Sequence, residues 1–182
     1  MVNPETRGGL RRRWLFPLLA GTIGLGGGAL TAWWRLRLAD PQPQVEEGFW
    51  SQSFETPEGQ QLAMADFRGR PLLLNFWATW CPPCVEELPL LNEFFKDNAA
   101  QGWQVAGLAL DKAAPVKAFL SRAPLDFPVV LGGAQGLALS KSLGNLTGGL
   151  PFSVLFGSDG RIQGRKLGKL TAEDLQRWRE VR

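Results

Sequence analysis

Cys81 and Cys84 are the only cysteines in the chain, and they stand three apart in Trp80-Cys-Pro-Pro-Cys84. Two thiols at this spacing, at the end of a buried strand and the first turn of a helix, can close into a disulfide and reopen. The start of a helix offers unpaired N–H groups and a partial positive charge, both of which favour a thiolate on Cys81. Cys81, nearer the N-terminus and the more exposed, would attack a disulfide in another molecule, and Cys84, one turn inside, would resolve the mixed disulfide. Pro82 and Pro83 are compatible with that position because first-turn N–H groups have no helical partner in any case. Two other readings stand beside this one. As an inert cross-link, so small a ring removes little chain entropy. As half of a metal site, the pair lacks further cysteine and any histidine, although two thiolates could hold a Cu(I) ion.

The composition excludes much other chemistry. A chain of 182 residues with 45% apolar and 20% charged residues has the make-up of one folded domain plus a smaller segment. Histidine is absent, which removes Ser-His-Asp triads, Cys-His proteases and imidazole metal sites, and no metal or other cofactor is expected. The net charge of +3 is not a nucleic-acid footprint once it is located. Residues 1–38 carry six arginines and one acid, whereas the other 144 residues carry 14 basic and 16 acidic side chains.

The dithiol needs elements to hold it, and the hydrophobic pattern supplies them. Residues 71–77 (PLLLNFW) form a short apolar run, the mark of a strand covered on both faces, and 82–98 carry Val85, Leu88, Leu91, Phe94 and Phe95 at helical spacing. Strands are also predicted at 49–54, 61–64, 103–110, 127–131, 152–156 and 162–167, and a helix at 115–122. Ser158-Asp-Gly160 marks a hairpin turn between the last two strands. Thr171-Ala-Glu-Asp174 opens a last helix as a capping box with Asp174 in the Glu slot. The order, βαβ and then ββα, is that of an α/β domain with a mixed sheet over residues 49–182. Gly132-Gly133 and Gly148-Gly149 fit no GxGxxG frame and read as loop hinges near the site.

Ahead of that domain the chain carries a membrane address. Residues 14–34 (WLFPLLAGTIGLGGGALTAWW) hold 21 uncharged positions, enough for a helix to span a hydrocarbon core of about 30 Å. Tryptophans flank the stretch at both ends. Arg11-Arg12-Arg13 before it outweigh Arg35 and Arg37 after it, which predicts residues 1–13 in the cytoplasm and the domain outside. An uncleaved transmembrane signal anchor fits best. A cleaved signal peptide suits neither the length nor the cleavage candidates, and five glycines would weaken a buried soluble helix. Residues 35–48 read as a linker with prolines and glutamines.

The segment Asn75-Phe-Trp-Ala-Thr-Trp-Cys-Pro-Pro-Cys-Val-Glu-Glu-Leu-Pro89 resembles the active-site segment of the thioredoxin superfamily, and more narrowly that of the membrane-anchored TlpA/ResA-like thiol–disulfide oxidoreductases. The resemblance covers residues 49–182. It implies a thioredoxin fold, a central mixed sheet flanked by helices, held at the bacterial inner membrane by one transmembrane helix with the catalytic domain in the periplasm. It implies Cys81 and Cys84 as the redox-active disulfide, and a cis-proline at Pro151 in a loop whose backbone pairs with a bound substrate strand. The same resemblance implies Trp80, Pro82 and Leu150 as the substrate-contacting neighbours. From the residues alone, Pro151 could equally be a trans proline opening a strand.

Two positions depart from the thioredoxin pattern. Asn75 stands where thioredoxins bury an aspartate, and an amide cannot shuttle a proton. Glu87 stands where ResA-like members place a glutamate near the site, which could accept the Cys84 proton; it could as well be a solvated first-turn acid, as its neighbour Glu86 is expected to be. Thr147-Gly-Gly-Leu-Pro-Phe-Ser153 has the proline but lacks the glutamate that follows it in cytochrome c maturation reductases, which weakens an apocytochrome c partner. Expected partners are protein disulfides, among them an apocytochrome c or a copper-site protein, together with a membrane electron donor and no nucleic acid. Because neither Pro82 nor Pro83 has an N–H to stabilise the Cys81 thiolate, a reductant is expected. A disulfide-forming oxidant of the same fold, a Cu(I)-handling or cytochrome-maturation thiol protein and a non-enzymatic tethered adaptor are the other readings. A peroxidase fits poorly, since Thr79 is two residues, not three, before Cys81.

Overall fold

The computed structural model describes residues 42–180. The chain runs α1 (Gln42–Trp50), β1 (Ser53–Glu55), β2 (Gln61–Ala63), a 3-10 turn (Met64–Phe67), β3 (Leu72–Trp77), α2 (Pro82–Asn98), a second 3-10 turn (Ala99–Gln101), β4 (Gln104–Ala109), α3 (Ala113–Leu120), β5 (Val129–Leu131), α4 (Gly133–Ser142), β6 (Phe152–Phe156), β7 (Ile162–Leu167) and α5 (Ala172–Glu180). The predicted segment 14–34, with the residues before it and those up to 41, lies outside the described residues. No helix among the described residues is long and apolar enough to cross a membrane.

The seven strands form one mixed sheet in the order β2-β1-β5-β4-β3-β6-β7. β3, β4 and β5 are parallel neighbours; β6 pairs antiparallel with β3 and β7 with β6 on one side, and β1 antiparallel with β5 and β2 with β1 on the other. Every residue of β3, β4 and β6 is buried, which is why these segments read as unbroken apolar runs. Side chains alternate across the sheet. Leu73 and Trp77 of β3 join the core beneath α2, α3 and α5, with Leu88, Leu91, Val116 and Leu175. Leu72, Leu74 and Phe76 join the opposite core with Phe49 and Trp50 of α1, Leu139 of α4 and Leu143 just after it. Asn75 shares its side of β3 with Leu73 and Trp77, so the one polar residue of the strand is directed at the dithiol helix.

The helix at 82–98 and the strands at 152–156 and 162–167 form as the pattern predicts. At the last helix, Thr171 N donates to Asp174 Oδ2 at 2.9 Å and Asp174 N to Thr171 Oγ1 at 3.3 Å, so the aspartate fills the capping box. Two segments differ. Residues 42–50, expected as linker and opening strand, are helical. Phe49 stacks on Phe156 at 4.5 Å, Trp50 Nε1 donates to the Gly160 carbonyl at 2.9 Å, and Glu46 Oε1 accepts from Ile162 N at 2.7 Å. These are distant partners that no local pattern contains.

Gly132-Gly133 is no loop hinge but the start of α4. Gly132 and Gly136 let the helix lie against β4: a Cβ on Gly132 would stand 2.1 Å from Leu108 Cδ2 and one on Gly136 2.5 Å from the same atom, whereas a Cβ on Gly133 would meet nothing within 4 Å. Gly132→Ala is therefore expected to overpack this contact and lower stability by about 1–3 kcal/mol, read as a lower urea midpoint. Gly48→Ala in α1, with nothing within 4 Å of its Cβ, should show no such loss.

Candidate active site

β3 ends at Trp77, and the chain turns through Ala78-Thr79-Trp80 into α2. Asp111, just past the end of β4, holds this turn: its Oδ2 accepts from both Thr79 N, at 3.1 Å, and Thr79 Oγ1, while its Oδ1 accepts from Lys112 N at 2.7 Å. Cys81 then caps α2 in an extended conformation, with no hydrogen bond from its side chain. Cys81 and Cys84 are joined as a disulfide with their Cα atoms 5.3 Å apart. Cys81 is 5% exposed and Cys84 fully buried, the order expected of attacking and resolving thiols. Pro82 and Pro83 lie at the surface. The first N–H groups of the helix, those of Cys84 and Val85, both donate to the Cys81 carbonyl at 3.1 Å.

The antiparallel pairing Phe76↔Phe152 brings the start of β6 to the end of the sheet from which the dithiol turn leaves. The Leu150-Pro151 peptide there is cis. The loop is fixed on both sides of Leu150: Asn145 Nδ2 donates to the Gly149 carbonyl and Gly168 N to the Pro151 carbonyl, each at 2.8 Å. Among the described residues, the Leu150 N–H and C=O make no backbone hydrogen bond. Leu150 itself is half-buried against the core that holds Cys81 and Cys84. Trp80 is 67% exposed, and among the described residues the other exposed large apolar side chains are Leu137, Leu146 and Leu167. Leu137 and Leu167 flank Gly148-Gly149, where a Cβ would meet them at 3.5 and 3.2 Å. The glycine pair is thus part of the loop leading into the cis-proline.

Glu87 is fully buried one turn beyond Cys84, which overturns its reading as a solvated acid. Oε1 accepts from Asn75 Nδ2 at 2.7 Å, and Oε2 from the Leu170 N–H at 2.6 Å. Burial pushes its carboxyl above the ordinary glutamate range, against the pull of the Leu170 and Asn75 donors and of the Lys169 and Lys166 charges. Glu86 is exposed, as expected, and pairs with Lys169 at 2.9 Å.

Beneath Glu87 a polar row crosses three strands in register: Asn75 of β3, Ser153 of β6 and Lys166 of β7. Asn75 Nδ2 also donates to Ser153 Oγ at 3.0 Å. The row ends in Asp174, which accepts from Lys166, Thr171 and Arg177. The hydrogen bond from the Lys166 ammonium holds the Asp174 carboxyl well below the usual carboxylate range. Ser153 had a visible signal, a polar residue inside FSVLF. Asp111 had only its place after an apolar strand, and the Leu170 N–H had none. Among the described residues no three His, Cys, Asp or Glu side chains group to hold a metal ion.

The Redoxin family model matches residues 40–179. The chain is 34% identical over 120 residues to the thiol-disulfide oxidoreductase ResA of Bacillus thuringiensis (strain Al Hakam), covering 65% of this chain and 67% of that protein. It is 30% identical over 170 residues to the sporulation thiol-disulfide oxidoreductase A of Bacillus subtilis (strain 168), covering 91% and 94%. Among solved structures, a thiol:disulfide interchange protein from Chlorobium tepidum TLS superposes with a TM-score of 0.63 at 26% identity, over 72% of this chain and 92% of that one. StoA from Bacillus subtilis superposes with 0.57 at 28%, over 70% and 95%.

The buried carboxylate at the end of the polar row gives an acid-sensitive stability. Its lowered pKa means that Asp174 stabilises the fold above the unfolded value of about 4 and loses that contribution as pH falls below it. Asp174→Asn should cost about 2 kcal/mol at pH 7, and its deficit against the unaltered protein in urea melts should shrink below about pH 4.

Proposed function

The chain belongs to the Redoxin family and is a thiol–disulfide oxidoreductase, and from that premise we propose that it acts outside the cytoplasm as a membrane-anchored reductant of protein disulfides. The observation that carries the reading is the Cys81–Cys84 disulfide at the start of α2, with the buried Glu87 one turn behind it. In the reduced protein, the Cys81 thiolate attacks a substrate S–S bond, forming a mixed disulfide and releasing one substrate thiolate. Glu87 takes the proton of Cys84. The Cys84 thiolate attacks Cys81 Sγ, expels the second substrate thiolate and leaves the Cys81–Cys84 disulfide. Two electrons pass to the substrate, and a membrane thiol donor returns them.

The start of α2 supports the direction. Pro82 and Pro83 have no N–H, and the first two amides that do are bonded to the Cys81 carbonyl. With few donors left for a Cys81 thiolate, the reduced form lacks the stabilisation that makes a strong oxidant. The free Leu150 backbone beside the cis-proline, with Trp80 exposed next to Cys81, suits an extended protein segment carrying the target disulfide, as in an apocytochrome c or a copper-site protein. The uncharged stretch 14–34 and the arginine excess before it support an inner-membrane anchor with the domain in the periplasm.

Equilibrating the full chain against glutathione or dithiothreitol buffers, with thiol trapping, should give a potential well below about −200 mV. A value near the roughly −120 mV of strong oxidants would make the protein an inserter of disulfides. Glu87→Gln removes the proton acceptor. Its disulfide-reduction rate should fall about 100-fold at pH 6–7, and the deficit should close as pH rises past the ordinary thiol value of about 8.5, where Cys84 ionises unaided. An unchanged pH–rate profile would remove Glu87 from the reaction.

A further inference from the structure

Asn75 holds Glu87 by one end of its amide and leaves the other end unused. Its Nδ2 donates twice, to Glu87 Oε1 at 2.7 Å and to Ser153 Oγ at 3.0 Å, while its Oδ1 is buried with no partner among the described residues. A buried acceptor without a donor is costly, so its presence calls for a physical reason. Glu87 Oε2 is taken by the Leu170 N–H at 2.6 Å, a backbone donor that cannot become an acceptor. A proton arriving on Glu87 therefore settles on Oε1, the oxygen facing Asn75, where an O–H would meet an N–H. Both partners of the amide can reverse: a carboxyl group accepts when ionised and donates when protonated, and the Ser153 hydroxyl does either.

We propose that Asn75 is a reversible positioning residue, whose side-chain amide turns by about 180° about Cβ–Cγ when Glu87 is protonated, so that Oδ1 accepts from both the Glu87 and the Ser153 O–H groups. Loss of the proton returns Nδ2 to both oxygens. No electrons move in this step. The proton passes from Cys84 Sγ to Glu87 Oε1 and leaves from that oxygen. The inference rests on the reading of Glu87 as the proton acceptor. In each state one end of the amide is left unpartnered, so that cost favours neither charge state of Glu87.

An aspartate at this place could donate nothing when ionised and would set a second negative charge against Glu87. The titratable and charged groups around Glu87 are the Cys84 thiol of the reduced protein and Glu86 on α2, Lys166 on β7, Lys169 in the loop that follows and Asp174 on α5. Lys169 is bonded to Glu86 and Lys166 to Asp174. Both cations are thereby engaged elsewhere, and a turning amide is the group in contact with Glu87 that can follow its charge.

The test is an NMR titration of the full, reduced chain labelled with side-chain 15N-asparagine and 13Cδ-glutamate. Asn3, Asn75, Asn92, Asn98 and Asn145 are the only asparagines, and the Asn75 and Glu87 signals are assigned by their loss in Asn75→Ala and Glu87→Gln. The Asn75 NH2 resonances should shift upfield on acidification with the same midpoint as the Glu87 carboxyl. In Asn75→Ala the Glu87 midpoint should stay within about 0.3 of the unaltered value, because both charge states lose one bond. The proposal is overturned by Asn75 resonances that stay still through the Glu87 midpoint. It is equally overturned if Asn75→Ala raises that midpoint by about one unit, the signature of a donor serving the carboxylate alone. If Asn75→Ala does not fold, a conservative Asn75→Gln supplies the assignment and the unaltered chain decides. Failure here leaves the pH–rate profile of Glu87→Gln intact, whereas failure of Glu87 as the base abolishes that profile's difference.

Discussion

Burying Glu87 ties three separate stretches of chain to one point. The carboxyl sits on α2, receives a side-chain donor from the middle of β3 and a backbone donor from the loop before α5. A carboxyl group drawn out of water at this depth needs a hydrogen-bonding partner at each oxygen, because a buried polar atom left without one costs free energy. The register of α2 over the sheet, the height of the Leu170 loop and the identity of residue 75 are therefore not independent. Moving any one of them would strand a charge beneath the disulfide.

The same end of the sheet gathers the remaining parts. Parallel strands deliver their C-terminal ends side by side, which places the dithiol turn after β3 next to Asp111 after β4, and the antiparallel β6 begins there with the cis-proline. Asp111 makes the turn rigid through two bonds to Thr79, and Gly168 and Asn145 do the same for the loop around Leu150. Between these two fixed loops lie a disulfide with one sulfur just reachable and the unpaired backbone of a single residue. The dithiol turn and the cis-proline loop are thus separate pieces of chain, each held by its own bonds.

Much of this was legible in the order of residues. The two cysteines, the helix behind them and the final hairpin follow from spacing and periodicity that are local to each segment. Pro151 followed from resemblance, since its own residues allowed either isomer. Resemblance singled out Glu87 over Glu86, but whether Glu87 is buried or solvated could not be read from its own segment, because that depends on what packs over it, a loop 83 residues away. The helix at 42–50 was hidden for the same reason: proline, glutamine and glycine argue for a linker until Phe156 and Gly160 cover its aromatic end. Gly132 and Gly136 point towards a loop by propensity, yet they are what allows α4 to lie on Leu108.

A sheet with two open edges has to keep strangers off them. β2 is only three residues long, and β7, the other edge, turns out Gln163 and Arg165 along its six residues. Short length and outward polarity are the ordinary defences against edge-to-edge aggregation. They lapse at the last residue, Leu167, which is more than half exposed and lies against the glycines leading into the cis-proline. The place where the sheet is least guarded against an uninvited strand thus adjoins the cis-proline loop beside the disulfide.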